Sequence, residues 1–303
     1  MTARIATGGK WSPDVWPVYF TASKPDTLQY CAPFHDYLLC AVNELAGEHQ
    51  MKFLRGFLKA GKSVLIDSGV FYLSTQHAKS HGLKMNEALA LAPTDVDGFE
   101  DLFKRYVSLV TDIGERVWGY IEIDQGGREN KIRTRAKLEA LGLRPIPVYH
   151  PLNDGWDYFD ELASRYDRIC IGNVVQADME TRRRLMATAW ERRRKHPHLW
   201  IHALGLTASE MVAAWPVNSC DSSTWLSSIR WGFHAAVVAN KRCWDIDRGF
   251  NYPLAGSPDA SDERRDKAVQ FCGYNATFAC STMRVMAAEQ QEALGCDIAG
   301  PAL

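Results

Sequence analysis

Short apolar runs, each stopped by a polar residue or a glycine, alternate along the chain with longer stretches whose apolar positions recur every three or four residues. The first pattern predicts buried strands and the second predicts amphipathic helices. The runs are Trp16–Thr21, Ser63–Asp67, Val117–Asp124, Pro145–His150, Arg168–Asn173, Leu199–Gly205 and the approach from Pro216 to Asp221. An eighth strand is placed at Ile229–Val238. Helices are expected over Tyr37–Leu45, Met51–Lys59, Lys84–Ala92, Asp97–Ile113, Lys131–Leu141, Trp156–Arg165 and Met179–His196. In Met51–Lys59, Phe53, Leu54, Phe57 and Leu58 share a face, and Gly61 is the expected C-cap. Thr207-Ala208-Ser209-Glu210 has the spacing of a capping box opening a further helix to about Trp215. Beyond that, Asn251–Ser261 reads as a loop and Thr277–Leu294 as a helix.

Repeated strand–helix alternation implies a parallel sheet covered by helices. The predicted fold is α/β, a (β/α)₈ TIM-like barrel with a C-terminal helical extension. The chain is expected to be a single domain, 1–303, with the barrel over about 14–245 and the extension over about 246–303. An open doubly wound sheet would show the same alternation. However, no glycine-rich phosphate loop follows the first strand, which argues against its nucleotide-binding version.

Composition narrows the class without naming a partner. Of the 303 residues, 46% are hydrophobic and 23% charged, as in an ordinary globular protein. Lys+Arg (35) and Asp+Glu (36) nearly cancel, so net charge does not point to nucleic acid. No stretch approaches the roughly 20 apolar residues of a membrane span, and Met1–Trp11 lacks the apolar centre of a signal peptide. The eight cysteines are scattered, and Cys40, Cys170 and Cys280 sit in apolar patterns. A reducing, cytoplasmic setting without structural disulfides is expected, with no membrane partner.

The chemistry is concentrated in acids that end strands. Asp67, Asp124 and Asp221 would converge at one mouth if the strands close into a barrel. Such carboxylates can divide into a nucleophile, an acid/base and a reader of ligand N–H groups. They also serve as N-caps, and the small hydroxyl residues after Asp221 fit that simpler reading.

The motif order carries a resemblance. Asp67-Ser68-Gly69-Val70-Phe71 resembles the Asp-Ser-Gly-Gly-aromatic signature of the tRNA-guanine transglycosylase superfamily. Val148-Tyr149-His150 resembles its strand ending in a base-reading Gln, and Ile171-Gly172-Asn173 its Ile-Gly-Gly. His202-Ala203-Leu204-Gly205 is similar to Met-Gly-Val-Gly, and Ser219-Cys220-Asp221-Ser222 stands where the Phe-Asp-Cys nucleophile motif is expected. The likeness is collinear from Val64 to Leu226. It implies that Asp221 is the nucleophile at C1′ of a guanosine and Asp67 the general base. Asp124 would bind the amino and ring N–H edge of the base, with Ser68, His150, Gly172 and Asn173 around it. Phe71 and Leu204 would flank its rings, with Gly205 beside them.

Three departures matter. Asn173 replaces the second glycine, His150 replaces the Gln, and the superfamily's Cys-x-Cys-x-x-Cys…His zinc signature is missing. No cofactor is therefore expected; Cys243, Cys272, Cys280, Cys296 and His234 would make a zinc site only as an irregular set. Loss of the zinc subdomain resembles the DNA-directed branch, known as DpdA, of bacteriophages and bacterial gene clusters. Asp221-Ser222-Ser223-Thr224-Trp225 is similar to that branch as well.

The resemblance implies exchange of guanine in DNA for a 7-deazaguanine base, in a bacterial or infected host cell. Trp225 would stack on an unpaired base, and Arg182, Arg183 and Arg193 would track phosphates. The simpler readings are a solvated face for the arginine runs and satisfied core histidines for His150 and His202. Rival functions are a zinc-less tRNA-guanine transglycosylase, a non-catalytic nucleic-acid-binding subunit, and a barrel glycosidase acting on free sugars.

Overall fold

The computed structural model describes residues 4–12, 17–206 and 217–226, together with Gly273, Ala276, Thr277, Cys280 and Arg284. The chain folds as a (β/α)₈ barrel. Its strands are β1 (Val18–Ala22), β2 (Tyr37–Ala41), β3 (Ser63–Asp67), β4 (Gly119–Tyr120), β5 (Val148–Tyr149), β6 (Arg168–Ile171), β7 (Trp200–Ala203) and β8 (Ser219–Ser222). All pair in parallel, in the order β4-β3-β2-β1-β8-β7-β6-β5. A parallel bridge between Ile121 and Ile146 joins the two ends of that order and closes the ring.

The helices are α1 (Pro25–Cys31), α2 (Glu48–Lys59), α3 (Val70–His81), α4 (Met85–Ala90), α5 (Phe99–Ile113), α6 (Gly127–Ala140), α7 (Trp156–Arg165) and α8 (Met179–Arg193). Alternation along the strands divides the apolar residues into two sets. Val18, Phe20, Leu39, Leu65, Ile146, Val148, Cys170 and Trp200 form one cluster, which fills the barrel. Tyr19, Leu38, Cys40, Val64, Ile66, Ile169, Ile171 and Ile201 belong to the other, beneath the helices. With both faces buried, these strands read in sequence as unbroken apolar runs.

One expected helix is a strand. Tyr37–Ala41 is β2, paired with β1 and β3, and Val42–Leu45 is a 3₁₀ turn. A five-residue apolar run buried on both sides has no period by which to tell strand from helix. With β2 in place the ring has eight strands and β8 ends it. The expected strand Ile229–Val238 therefore does not supply the eighth position and lies outside the described residues. The capping box at Thr207, the Asn251–Ser261 loop and most of the C-terminal extension lie there too. Thr277, Cys280 and Arg284 are helical, as expected, and Cys280 packs in the core. Cys31, Cys40, Cys170, Cys220 and Cys280 are all free and buried. No helix among the described residues is long and apolar enough to cross a membrane.

Residues 4–12 pack at the N-terminal end of the barrel. Ile5 bridges to Tyr166. Arg168, fully buried, donates from Nε to Thr7 Oγ1 (2.6 Å), from Nη1 to the Trp118 carbonyl (2.9 Å) and from Nη2 to the Gly8 carbonyl (2.7 Å). Its guanidinium lies 4.6 Å from the Trp11 ring and 4.9 Å from the Trp118 ring. Burial pulls its pKa down to about 10. Replacing Arg168 by methionine should leave these carbonyls without a donor and lower stability by roughly 3–5 kcal/mol, measured by urea unfolding.

Candidate active site

At the opposite end, the loops after the strands carry the polar residues that the apolar runs lead into. Asp67 is the last residue of β3, Asp124 follows β4, His150 follows β5, and Asp221 is the third residue of β8. The three acids expected to converge do interact electrostatically, and their surroundings drive Asp67 and Asp124 apart in acidity. Asp67 is pushed up to about 7, first by burial and then by the charges of Asp124 and Asp221; the Gly69 N–H, 3.2 Å from its Oδ2, acts in the opposite sense. Burial also acts to raise Asp124, but the hydrogen bond and charge of His150, with Lys131 behind it, outweigh the burial. They hold its carboxyl below the usual range. Carboxylates separated in this way are suited to different tasks at neutral pH.

Asp221 is buried and held by two donors. His202 Nε2 lies 3.1 Å from Oδ1, and the Gly205 amide donates to the same oxygen at 3.1 Å. Among the described residues both bonds fall on Oδ1, which leaves Oδ2 for chemistry. The His202 tautomer follows from its neighbours. Trp200 Nε1 can only donate, and it does so to Ser219 Oγ at 2.9 Å. The Asp221 carboxylate can only accept, so a neutral His202 carries its proton on Nε2, facing it, and His202 Nδ1 accepts the Ser219 hydroxyl 2.8 Å away. His202 is thus the satisfied core histidine of the simpler reading, and what satisfies it includes the candidate nucleophile.

A second buried network holds the β5 side. His150 Nε2 lies 3.0 Å from Asp124 Oδ2, and its amide donates to Asp154 Oδ2 at 2.8 Å. Lys131 Nζ bonds that same Asp154 oxygen (2.5 Å) and the Val148 carbonyl (3.1 Å). Glu122 accepts the Val148 amide on Oε1 (2.6 Å) and Arg135 Nη1 on Oε2 (2.9 Å). Glu122 and Lys131 are fully buried. Sequence reasoning missed Glu122, Lys131, Arg135, Asp154 and Ser219. Lys131 and Arg135, four apart on α6 with Leu138 beyond them, were a visible signal, because that face of the helix is the buried one.

Gly172 makes room for His150. A Cβ there would lie 2.8 Å from the His150 ring, and the Gly172 amide and carbonyl already serve Tyr149 and Val174. Asn173 takes the left-handed conformation expected of glycine (φ 53°), and its side chain bonds Asn153 and Leu152. Ser68 is buried and its Oγ accepts the Val70 amide at the start of α3. Phe71, next on that helix, is 63% exposed, whereas Leu204 packs on the barrel interior.

Three nucleic-acid expectations are corrected. Trp225 is 2% exposed and donates from Nε1 to the Ala22 carbonyl (3.1 Å), because the 3₁₀ turn after β8 folds it into the core. It cannot stack on an unpaired base. Arg193 is buried and donates from Nε to the Leu199 carbonyl (3.1 Å). Arg182 is committed to the Val174, Val175 and Ala177 carbonyls, where it holds the turn after β6. Of the three arginines only Arg183 is exposed.

The cysteines and histidine considered for an irregular zinc set lie outside the described residues, apart from Cys280. That thiol is buried against the Pro17 carbonyl and raised by burial, which does not suit a ligand.

No family model matches the chain, and no curated protein matches it in sequence. Solved structures resemble it at low identity. A protein of Aquifex aeolicus VF5 is 9% identical, with 88% of this chain and 93% of that chain covered and a TM-score of 0.47. Tryptophan synthase subunit alpha from Campylobacter jejuni is 8% identical, covering 71% and 89%, with a TM-score of 0.41. Orotidine 5′-monophosphate decarboxylase from Methanocaldococcus jannaschii is 13% identical, covering 69% and 89%, with a TM-score of 0.37. At these values the likeness adds nothing to the architecture described above.

Proposed function

We propose that the protein is an enzyme, a base-exchanging pentosyltransferase that replaces guanine in DNA by a 7-deazaguanine base. The observation that supports this reading most is the division of labour among three acids at one barrel mouth. Asp67 is raised to about 7, Asp124 is held low by His150, and Asp221 is oriented by His202 and Gly205.

In this reading Asp221 Oδ2 attacks C1′ of a flipped-out deoxyguanosine. The C1′–N9 bond breaks, its electron pair stays on the base, and protonated Asp67 supplies the proton with which guanine leaves. The sugar is then held as an ester on Asp221. The incoming base binds through its donor edge to Asp124, gives its N9 proton to Asp67, and attacks C1′ to release Asp221. Asp67 ends protonated, as it began. A pKa near 7 suits a group that must give and take one proton in turn. The target base must leave the duplex, since a stacked guanine cannot present C1′ to a barrel mouth.

The test is incubation of the protein with DNA or tRNA carrying labelled guanine, plus free 7-deazaguanine. Release of label from DNA supports the proposal. Release from tRNA alone would favour the tRNA-directed rival, and none from either would leave the binding-subunit reading. Gly172→Ala offers a local check. Its Cβ would press on the His150 ring and displace it from Asp124. Binding of the free base should weaken by about tenfold, with the fold retained, as isothermal titration would read.

A further inference from the structure

Away from the barrel mouth, the end of α3 and the turn leading into α5 bring two imidazoles and a carboxylate together. His77 and His81, one helical turn apart, stack at 4.1 Å between ring centroids. Asp97 Oδ2 lies 3.3 Å from His77 Nδ1 and 3.5 Å from His81 Nε2.

The hydrogen bonds fix where the ring protons are not. His77 Nδ1 accepts the Asp97 amide at 3.2 Å, so it presents a lone pair. Ser80 Oγ gives its one proton to the His77 carbonyl (2.9 Å). His81 Nδ1 faces only acceptors, Ser80 Oγ at 3.0 Å and that carbonyl at 3.1 Å, so it carries the proton of the neutral ring and Nε2 is bare. His77 Nδ1, His81 Nε2 and Asp97 Oδ2 therefore face one another as acceptors, with only the Asp97 amide proton on His77 Nδ1 to offset their repulsion, and a cation would relieve it. The two imidazole–carboxylate separations match the edge of a tetrahedron around a metal with bonds of 2.0–2.1 Å, about 3.4 Å. A backbone carbonyl on the remaining His81 nitrogen is also the usual support for a metal-bound imidazole.

We propose that His77, His81 and Asp97 bind one borderline divalent transition cation, of the zinc or cobalt type. The ion would bond His77 Nδ1, His81 Nε2 and Asp97 Oδ2, with water in the fourth position. Binding exchanges the Asp97 amide bond to His77 for a metal bond. The ion staples the two ends of the excursion 82–98, which contains α4. That excursion is held in turn by Gln125, next to Asp124. Gln125 Nε2 donates to the Ala88 (2.8 Å) and Leu91 (2.9 Å) carbonyls, and its Oε1 accepts from Ser74 of α3 (2.8 Å). The cation therefore braces the support of Asp124 without touching it.

The test uses the full chain and the metal alone. Isothermal titration with Zn²⁺, and the visible absorption of Co²⁺, should show one equivalent bound with nitrogen–oxygen ligation. His81→Ala and Asp97→Asn, both at exposed positions, should each weaken binding by more than about tenfold, and Zn²⁺ should raise the thermal midpoint of the native chain but not of His81→Ala. Two outcomes overturn the proposal: no stoichiometric binding, which leaves a proton on His81 as the occupant, or binding unchanged in both variants, which places the metal elsewhere. Neither outcome bears on the base-exchange reading, which uses none of these three residues.

Discussion

Asp221→Ala should abolish both guanine release and any covalent protein–DNA adduct, lowering turnover by roughly 10⁴-fold or more, as loss of a nucleophile does. The fold should survive at a cost of roughly 1–3 kcal/mol, because the His202 Nε2 and Gly205 donors lose their acceptor while the backbone and ring around them stay fixed. His202 keeps its bond to Ser219, and Gly205 follows the edge of β7. Asp221→Asn is the stricter variant. It preserves shape and an acceptor oxygen for His202 while removing the charge and the nucleophilic lone pair, so it should be as inactive as alanine and nearer in stability to the native chain. The measurement is retention of labelled DNA on a denaturing gel beside release of labelled guanine. An adduct that persists in Asp221→Ala and disappears in Asp67→Ala would exchange the roles of the two acids.

The second large effect belongs to Asp67. Asp67→Asn can neither protonate the leaving guanine nor take a proton from the incoming base, and should slow exchange by roughly 10²–10⁴-fold. The native protein should also show a limb in its pH profile near 7, where Asp67 changes charge. Capture of the incoming base should rise as pH increases through that value and flatten above it; in Asp67→Asn the limb should vanish. Stability moves in the opposite sense. A carboxyl whose folded pKa lies above its unfolded value of about 3.9 binds its proton more tightly when folded. Its contribution to stability is therefore lost as pH rises from about 4 to about 7. Asp67→Asn should remove that loss and melt above the native protein at pH 8, while the two differ less at pH 5. Thermal unfolding at both pH values checks this. A stability gain beside an activity loss is what a group strained for function predicts.

Much of the barrel was legible, for a physical reason. Parallel strands buried on both faces are short apolar runs, and their C-terminal ends are marked by the residues that leave the core, as at Asp67, Gly172 and Asp221. Tyr37–Ala41 was not legible because a run with no polar face has no period. Trp225, Arg182 and Arg193 show a different limit. Residue type gave them nucleic-acid roles, whereas burial and backbone carbonyls give them structural ones. The same limit hid Lys131 and Arg135, whose charges are matched inside the protein by Asp154 and Glu122. Pairing between residues distant in the chain, such as His202 with Asp221, has no local signature and appears only when β7 and β8 lie side by side.

In the proposed reaction Asp221 and Asp67 exchange a base in DNA. Its most direct test is mass spectrometry of nucleosides digested from DNA, and in parallel from tRNA, after exposure to the protein and a free 7-deazaguanine base. The native protein should leave a 7-deazaguanine deoxynucleoside in the DNA, absent with Asp221→Asn, and no modified nucleoside in the tRNA. Unmodified DNA with the native protein, or modification confined to tRNA, would contradict the proposed reaction.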